Sequence, residues 1–378
     1  MRRVLIVSPS YVEPTARGKL HALAARGLDL TVAIPQRWRD PVLGRVREST
    51  WERQQALEVF PIPVSRPGDP EHSRFGRREL RALVRDKRPE LMQVEAEPET
   101  ALARQLVRLA ARLKIPAVLA TAANVDAARS WAAGWRRRRT LGRLTGALAA
   151  SLGAATLVRR DVPTLLVGVV PQRGTHVPPK SAHEPHEGLT IGFVGRLVPQ
   201  RGLDTLLQAL TQHRHAVWRL TVIGDGPERE RLERLASELH LAARIQWAGA
   251  LPPERMPELW QRLDVLVVPS RPTARWNEPN GTTLLEAMAH EVAVIGSDTG
   301  VLPELIGDAG IVTPPGEAEA LASALRRALD PGERAALAGA ARARALKQFS
   351  DDAIAERTLR FWQEMLERPR GSAPGPIH

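Results

Sequence analysis

In the run Trp276-Asn277-Glu278-Pro279-Asn280-Gly281-Thr282-Thr283, residue types and spacing suit chemistry on a phosphorylated sugar. Asn280-Gly281 reads as a turn, Thr282 opens a helix, and Glu286 shares a helix face with Thr282 and Thr283. A helix N-terminus presents backbone N–H groups that lack intrahelical acceptors, which suits a diphosphate. A carboxylate one turn in can accept hydrogen bonds from ribose hydroxyls. Glu278, just before the turn, stands at the mouth of the loop, near where a hexose would lie. Plainer explanations coexist: a glutamate in the first turn favours the helix macrodipole, and Glu278 alone reads as a loop acid.

Three glycine-bearing strand ends precede this run. In Gly192-Phe-Val-Gly195-Arg196-Leu-Val-Pro-Gln-Arg201-Gly202 a strand ends in Gly195, Arg196 leaves its edge, and Arg201 stands at the start of the next helix. Both guanidiniums could engage a diphosphate bidentately; the alternative is a tight turn flanked by solvated arginines. Ile223-Gly224-Asp225-Gly226-Pro227 is strand, turn and proline-opened helix, and as a lone G-x-G it serves nucleotide binding or a simple turn. Trp247-Ala-Gly249-Ala-Leu251 could flank a base, or be a buried strand end. All four sites fall at the ends of successive strands of one half of the chain, within reach of one ligand.

The elements that must position them alternate. Apolar strands are expected at 4–8, 30–34, 57–62, 91–94 and 117–120, with helices at 17–26, 74–87 and 99–114. A second series places strands at 189–194, 219–223, 244–247, 265–268, 292–295 and 310–312, with helices at 203–213, 228–240, 253–263, 282–290 and 317–329. Such alternation predicts parallel sheets covered by helices on both faces. The polar, proline-rich segment 176–187 reads as a linker. The expected fold is therefore α/β, with two doubly wound Rossmann-like domains facing a central cleft. The first spans 1–175 and is completed by a C-terminal helix near 350–368. The second spans 176–349, and 369–378 is a frayed tail.

Bulk composition narrows the function. The 378 residues exceed a typical single core, and 43% apolar with 25% charged residues is ordinary for a globular protein. There is no cysteine, which removes disulfides, thiolate catalysis and cysteine metal sites and fits a reducing cytoplasm. The uncharged stretch Leu144–Val158 is too short to span a bilayer, so no transmembrane helix is expected. Net charge is +12, almost entirely from arginine excess. That is either arginine on solvated faces or a basic face for anionic partners. In Trp131-Ala-Ala-Gly-Trp135 followed by Arg136–Arg139, tryptophans beside arginines suit an anionic membrane surface. No nucleic-acid-binding signature and no metal-ligand cluster of the DxD or HExxH type is present.

From Thr190 to Ser350 the chain resembles the C-terminal domain of family 4 glycosyltransferases, retaining enzymes of the GT-B fold. The resemblance rests on GRLVPQRGLDTLLQAL, VIGDGPERERLERLA, WAGALPPERMPELWQRLDVLVVPS and NEPNGTTLLEAMAHEVAVIGSDTGVLPELIGDAG. FSDDAIAERTLRFWQEML resembles the family's helix that returns to the first domain. The resemblance implies a hexosyl- or glycosyltransferase (EC 2.4) that moves a sugar from a UDP- or GDP-sugar to a hydroxyl acceptor, without metal or other cofactor. The acceptor would be a glycan, a glycolipid or a lipid-linked intermediate, as in cell-envelope polysaccharide. The location would be cytoplasmic, or peripheral on the inner face of the membrane. By resemblance Arg196 and Arg201 hold the diphosphate, Glu286 binds the ribose, and Glu278 lies near the hexose and the reacting centre. Gly195, Gly281, Thr282 and Thr283 line the phosphates and Leu251 lies near the base. Arg201 stands where the family usually has lysine. On the acceptor side, Gly18 is what remains of a double-glycine loop, and Glu95, Glu97 and Asn124 resemble a stretch found in some relatives. Glu95 and Glu97 also read as a surface acid pair. Two alternatives remain: a catalytically weak or inactive nucleotide-sugar-binding subunit, and a GT-B-type nucleotide-sugar epimerase.

Overall fold

The computed structural model describes residues 1–39, 46–126, 131–180 and 187–368. The expected tail 369–378 and most of the central part of the expected linker, 181–186, lie outside the described residues. The chain divides into two compact units, one formed by Met1–Gly174 with the segment from Asp351, the other by Thr175–Ser350.

The first unit is built on an eight-stranded sheet. Its strands are β1 (Arg3–Val7), β2 (Asp29–Pro35), β3 (Glu52–Gln54), β4 (Leu57–Ile62), β5 (Leu91–Glu95), β6 (Ala117–Thr121), β7 (Gly146–Ala149) and β8 (Leu166–Val169), in the order β8-β7-β6-β5-β1-β2-β4-β3. Every pairing is parallel except the edge pair β3–β4. Helices α1 (Gly18–Ala25), α2 (Arg77–Lys87), α3 (Ala101–Leu113), α4 (Trp131–Leu141) and α5 (Leu152–Asp161) connect them. Helix α3 illustrates how local sequence sets an element. Thr100 caps it by accepting from the Ala103 N–H at 3.1 Å. Leu102, Leu106, Val107 and Ala110 turn into the core, while Arg104, Arg108 and Arg112 recur on the outer face at helical spacing.

Strands β7 and β8 and helices α4 and α5 are additions to the sequence-based expectation. Leu144–Val158 is neither a span nor a loop; it contains β7 and the start of α5. Its residues are small because the C-terminal helix, Asp351–Glu367, packs directly onto the sheet there. A Cβ on Gly146 would lie 2.9 Å from Met365 Sδ, and one on Gly168 2.6 Å from Phe361 Cδ2. A strand of Gly and Ala carries little of the β-branched signal by which strands are read. Among the described residues no helix is long and apolar enough to cross a membrane.

The second unit has a six-stranded, all-parallel sheet: β9 (Leu189–Val194), β10 (Trp218–Ile223), β11 (Ile245–Gly249), β12 (Val265–Val268), β13 (Ala293–Ser297) and β14 (Ile311–Thr313). Their order, β11-β10-β9-β12-β13-β14, is that of a doubly wound nucleotide-binding domain, with its switch point between β9 and β12. Helices α6 (Leu203–Leu210), α7 (Arg229–Glu238), α8 (Met256–Trp260), α9 (Thr282–Ala289), α10 (Leu302–Ile306), α11 (Ala318–Leu329) and α12 (Pro331–Arg344) follow in turn. Leu206, Leu220, Val267, Ile295 and Leu325 are among the residues of its core.

Candidate functional site

In the second unit the loops after β9, β10, β11, β12 and β13 are tied to one another through their backbones. Gly195 N–H donates to Ile223 O at 2.9 Å, Leu197 N–H to Asp225 O at 3.0 Å, and Gly224 N–H to Gly249 O at 2.8 Å. Val301 N–H, after β13, donates to Glu278 O at 3.0 Å, in the loop after β12. Two glycines permit this closeness. A Cβ on Gly202 would fall 1.9 Å from Pro269 O, and one on Gly300 would fall 2.0 Å from Glu278 O. Both have positive φ, +68° and +56°, which side-chain-bearing residues rarely adopt.

Glu278 is the most enclosed acid of this edge, at 4% exposure. Arg201 Nη1 donates to its Oε2, and the Ser270 hydroxyl donates to the same oxygen at 3.1 Å. The Glu278 N–H is held by Asn277 Oδ1 at 3.1 Å, and Thr299 Oγ1 donates to that same oxygen. The Arg201 guanidinium lies over the Trp276 ring, 5.2 Å from its centroid. One carboxylate and one guanidinium are thus fixed by four neighbours drawn from two loops. Ser270, Trp276, Asn277, Thr299 and Gly300 escaped sequence reasoning as site residues. Trp276 and Asn277, the first two residues of the motif, offered a signal there.

Helix α9 starts at Thr282 with Gly281 as its cap residue and no side-chain cap. Among the described residues, no protein acceptor receives the N–H groups of Thr282 and Thr283. Glu286 is half-buried one turn in, and its carbonyl accepts from His290 Nδ1 at 2.8 Å. Burial pushes the His290 imidazole below its ordinary value, so it stays neutral at pH 7. Arg196 is exposed, and among the described residues it has no ion-pair partner. Gly195 borders the Arg201 side chain, with Cδ and Nε each 3.8 Å from a built Cβ. Leu251 is half-buried two residues past β11. The edge therefore offers an exposed guanidinium, a second one shared with a buried carboxylate, and uncapped helical amides, the complement of a diphosphate with a sugar attached.

At the carboxyl edge of the first unit, Glu95 and Glu97 are not a surface acid pair. Glu95 ends β5, and its Oε1 accepts from Tyr11 Oη at 2.9 Å, Lys19 Nζ at 3.1 Å and Gln93 Nε2 at 2.9 Å. Lys19 Nζ also donates to Gln172 O, and Trp362 Nε1 to Gln93 Oε1 at 3.0 Å. Burial and then the Glu95 charge push the Tyr11 phenol well above its ordinary value, so it remains a donor. Glu97 accepts from the Thr121 hydroxyl and from the N–H groups of Ala122 (3.1 Å) and Ala123 (3.3 Å). Burial raises its carboxyl above the usual range despite those bonds. Asn124 is half-buried in the loop that follows β6. Gly18 is the first residue of α1, where the Asp351 carboxylate occupies the space a side chain would need, 2.0 Å from a built Cβ. Its want of a side chain thus serves packing against the C-terminal helix. Lys19, adjacent to Gly18 in the motif, and Tyr11 are the further residues that sequence reasoning missed.

The basic run on α4 also divides. Trp131 and Trp135 are 79% and 45% exposed, and Arg139 stacks on Trp135 at 5.2 Å. Arg137 does not share that surface. It is buried and bonded to Asp161 and Asp126.

Comparison with known proteins bears on this geometry. Residues 178–344 match the family model described as glycosyl transferases group 1. The chain is 32% identical over 203 residues to a D-inositol 3-phosphate glycosyltransferase of Acidothermus cellulolyticus, covering 50% of this chain and 44% of that protein. It is 33% identical over 213 residues to a 2-deoxystreptamine glucosyltransferase of Streptomyces kanamyceticus, covering 52% and 53%. The chain thus spans about half the length of these relatives. Among solved structures it resembles a sucrose-phosphate synthase from Thermosynechococcus elongatus, with TM-score 0.74, 19% identity, and 97% and 99% of the two chains covered. It also resembles HepE of Anabaena in complex with UDP, with TM-score 0.68, 16% identity, and 96% and 100% covered. These likenesses extend over both units and give the fold as GT-B.

Proposed function

We propose that this chain is a retaining glycosyltransferase that moves a sugar from a nucleoside-diphosphate donor to a hydroxyl acceptor. The observation that carries the reading is the cluster at the carboxyl edge of the second unit: Arg201 held by Glu278, beside the uncapped N–H groups of Thr282 and Thr283. The segment-wide match to glycosyl transferases group 1 and the UDP seen in the Anabaena neighbour support it.

The chemistry is a charge problem. As the bond between the anomeric carbon and the diphosphate oxygen breaks, negative charge grows on the leaving group. Arg196, Arg201 and the α9 N-terminus stabilise that charge, and such preorganised electrostatics is commonly the largest catalytic contribution. The acceptor oxygen forms the new bond on the same face, and its proton passes to the departing phosphate oxygen. Glu278 fixes the Arg201 fork and borders the hexose, while Glu286 accepts from the ribose hydroxyls. Acceptor recognition is assigned to the strand edge of the first unit around Glu97 and Asn124, and Glu95 acts there as a buried anchor. Exposed Trp131 and Trp135 with Arg136, Arg138 and Arg139 fit an anionic membrane surface, which would bring a lipid-linked acceptor within reach.

The test is turnover and binding measured together on purified protein with UDP- and GDP-hexoses. Arg196→Ala should lower kcat by about a hundredfold or more while leaving nucleoside affinity nearly unchanged. Equal losses in both would remove the charge-stabilising role. Wild-type protein that binds the donor yet neither hydrolyses nor transfers it would favour a non-catalytic binding subunit instead. Sugar inversion without any acceptor would favour an epimerase.

A further inference from the structure

The first unit carries a groove of about 200 Å³ between α2 and α3. Arg74, Arg77 and Arg81 line one side, and Arg104, Arg108 and Arg112 line the other. Leu80, Ala101 and Leu109 contribute apolar lining, and no carboxylate lines it. A second depression continues from Arg108 and Arg112 to Arg139 and Arg143 at the end of α4. The result is a continuous arginine track across three helices.

Other arginines of the chain are paired within the fold. Arg137 and Arg160 share Asp126 and Asp161, and in the second unit Arg229 and Arg231 pair with Glu233 and Glu228. Among the described residues, none of the six groove arginines pairs with a carboxylate; Arg104 donates to the Glu99 carbonyl. Like charges four residues apart on a helix repel, and that spacing occurs at Arg77/Arg81 and twice along Arg104/Arg108/Arg112. The repulsion is felt at Arg104: burial, then Arg136, Arg74 and Arg108, push its guanidinium below the ordinary arginine value. Arg143 is pushed the same way by burial, Arg139 and Arg108. A fold that keeps such a cluster without internal counter-charge is stabilised by an external anion. Guanidinium forks match phosphate oxygens bidentately, and low-dielectric walls focus the field of the groove.

We propose that the groove between α2 and α3 is a binding site for anionic phosphate groups, distinct from the phosphate-binding edge of the second unit. The bound group is either a soluble oligophosphate or the phosphate of a lipid headgroup. The proposal does not depend on the activity assigned above.

Hydrogen–deuterium exchange on the whole chain locates the site and separates the sources. One arm adds tripolyphosphate at low ionic strength, against sodium chloride of matched ionic strength. The other adds phosphatidylglycerol-containing vesicles, against phosphatidylcholine vesicles. The expected result is saturable protection of the peptides covering Arg77–Lys87 and Ala101–Leu113 in at least one arm. Protection by tripolyphosphate names a soluble anion, and protection by anionic vesicles alone names a headgroup. Arg81→Glu with Arg108→Glu, both exposed side chains, should weaken the effect at least about tenfold. Arg81→Gln with Arg108→Gln serves if the charge reversal disturbs folding. Unchanged exchange in both helices in both arms overturns the proposal, as does protection that survives the substitutions.

Discussion

Arg201 and Glu278 form an ion pair that closes on a single carboxylate oxygen, with the Ser270 hydroxyl donating to the same atom. The guanidinium is about a quarter exposed and the carboxylate almost wholly enclosed. The two partners therefore respond differently to loss of the other. Arg201→Met takes the cation from an enclosed anion, and should destabilise the second unit by about 1–3 kcal/mol. Glu278→Gln should cost less. In a double-mutant cycle read from chemical unfolding, the pair should show a coupling of about 1 kcal/mol or more. Additive effects would mean that the contact contributes nothing to holding the fork.

Gly300 sets the position of Glu278 through the backbone. With φ at +56° and no room for a Cβ beside the Glu278 carbonyl, Gly300→Ala must push the whole Glu278 loop away. A displacement near 1 Å is enough to lower kcat by about a hundredfold, so the variant should lose turnover while remaining folded. Wild-type kcat in a folded Gly300→Ala protein would detach Glu278 from the chemistry.

The Lys19–Glu95 pair lies under the strand edge of the first unit, with both side chains at most 3% exposed. Lys19→Met should destabilise that unit by about 3–5 kcal/mol, because an enclosed carboxylate loses its cation. Lys19→Met with Glu95→Gln should recover a large part of the loss, since Tyr11 and Gln93 still find an acceptor. Thermal midpoints of the three variants decide the matter, and no recovery in the double variant would contradict the pair's role.

Glu97 supplies a pH signature. Burial raises its carboxyl above the ordinary value of about 4.3, so the folded chain holds this proton more tightly than the unfolded chain. Its contribution to stability is therefore largest below the ordinary value and declines as pH rises towards the raised one. The stability of wild type relative to Glu97→Gln should fall across that window and then level off. Urea midpoints taken from about pH 4 upward would show it, and a difference that grows with pH would reverse the assignment.

On α4, position 137 should behave unlike its neighbours. Removing Arg137 takes the nearer cation from Asp161, whose side chain is 5% exposed, leaving Arg160 at 3.6 Å, and should cost about 3 kcal/mol. Replacing Arg136, Arg138 and Arg139 together with glutamine should shift stability by no more than about 0.5 kcal/mol per site, yet weaken sedimentation with anionic vesicles. Vesicle binding unmoved by the triple change would remove the membrane role of this helix.

The second unit was legible in the sequence because its strands carry β-branched and long apolar residues and end in glycine turns. Val265–Val268 and Leu189–Val194 match the expected bounds to the residue. The first unit was less so. Its β7, Gly146–Ala149, is made of small residues because Phe361 and Met365 press on that region of the sheet, a constraint set more than two hundred positions away. The same distance hid the site's supports. Nothing near Glu278 in sequence announces that Thr299 and Gly300 brace it, and nothing near Glu95 announces Lys19. Arg137 looked like one of four equivalent arginines, and only the fold brings Asp126 and Asp161 to it.

The dependence of the first sheet on Phe361, Trp362 and Met365 has a consequence for biogenesis. Trp362 is fully enclosed and bonded to Gln93, so the amino-terminal half emerges from the ribosome lacking part of its own interior. During translation the later-made middle section can consolidate first, while the earlier-made portion waits with apolar surface uncovered. Holdase chaperones should therefore engage nascent chains of this protein through residues made early, and release them only once the helix bearing Trp362 has been delivered.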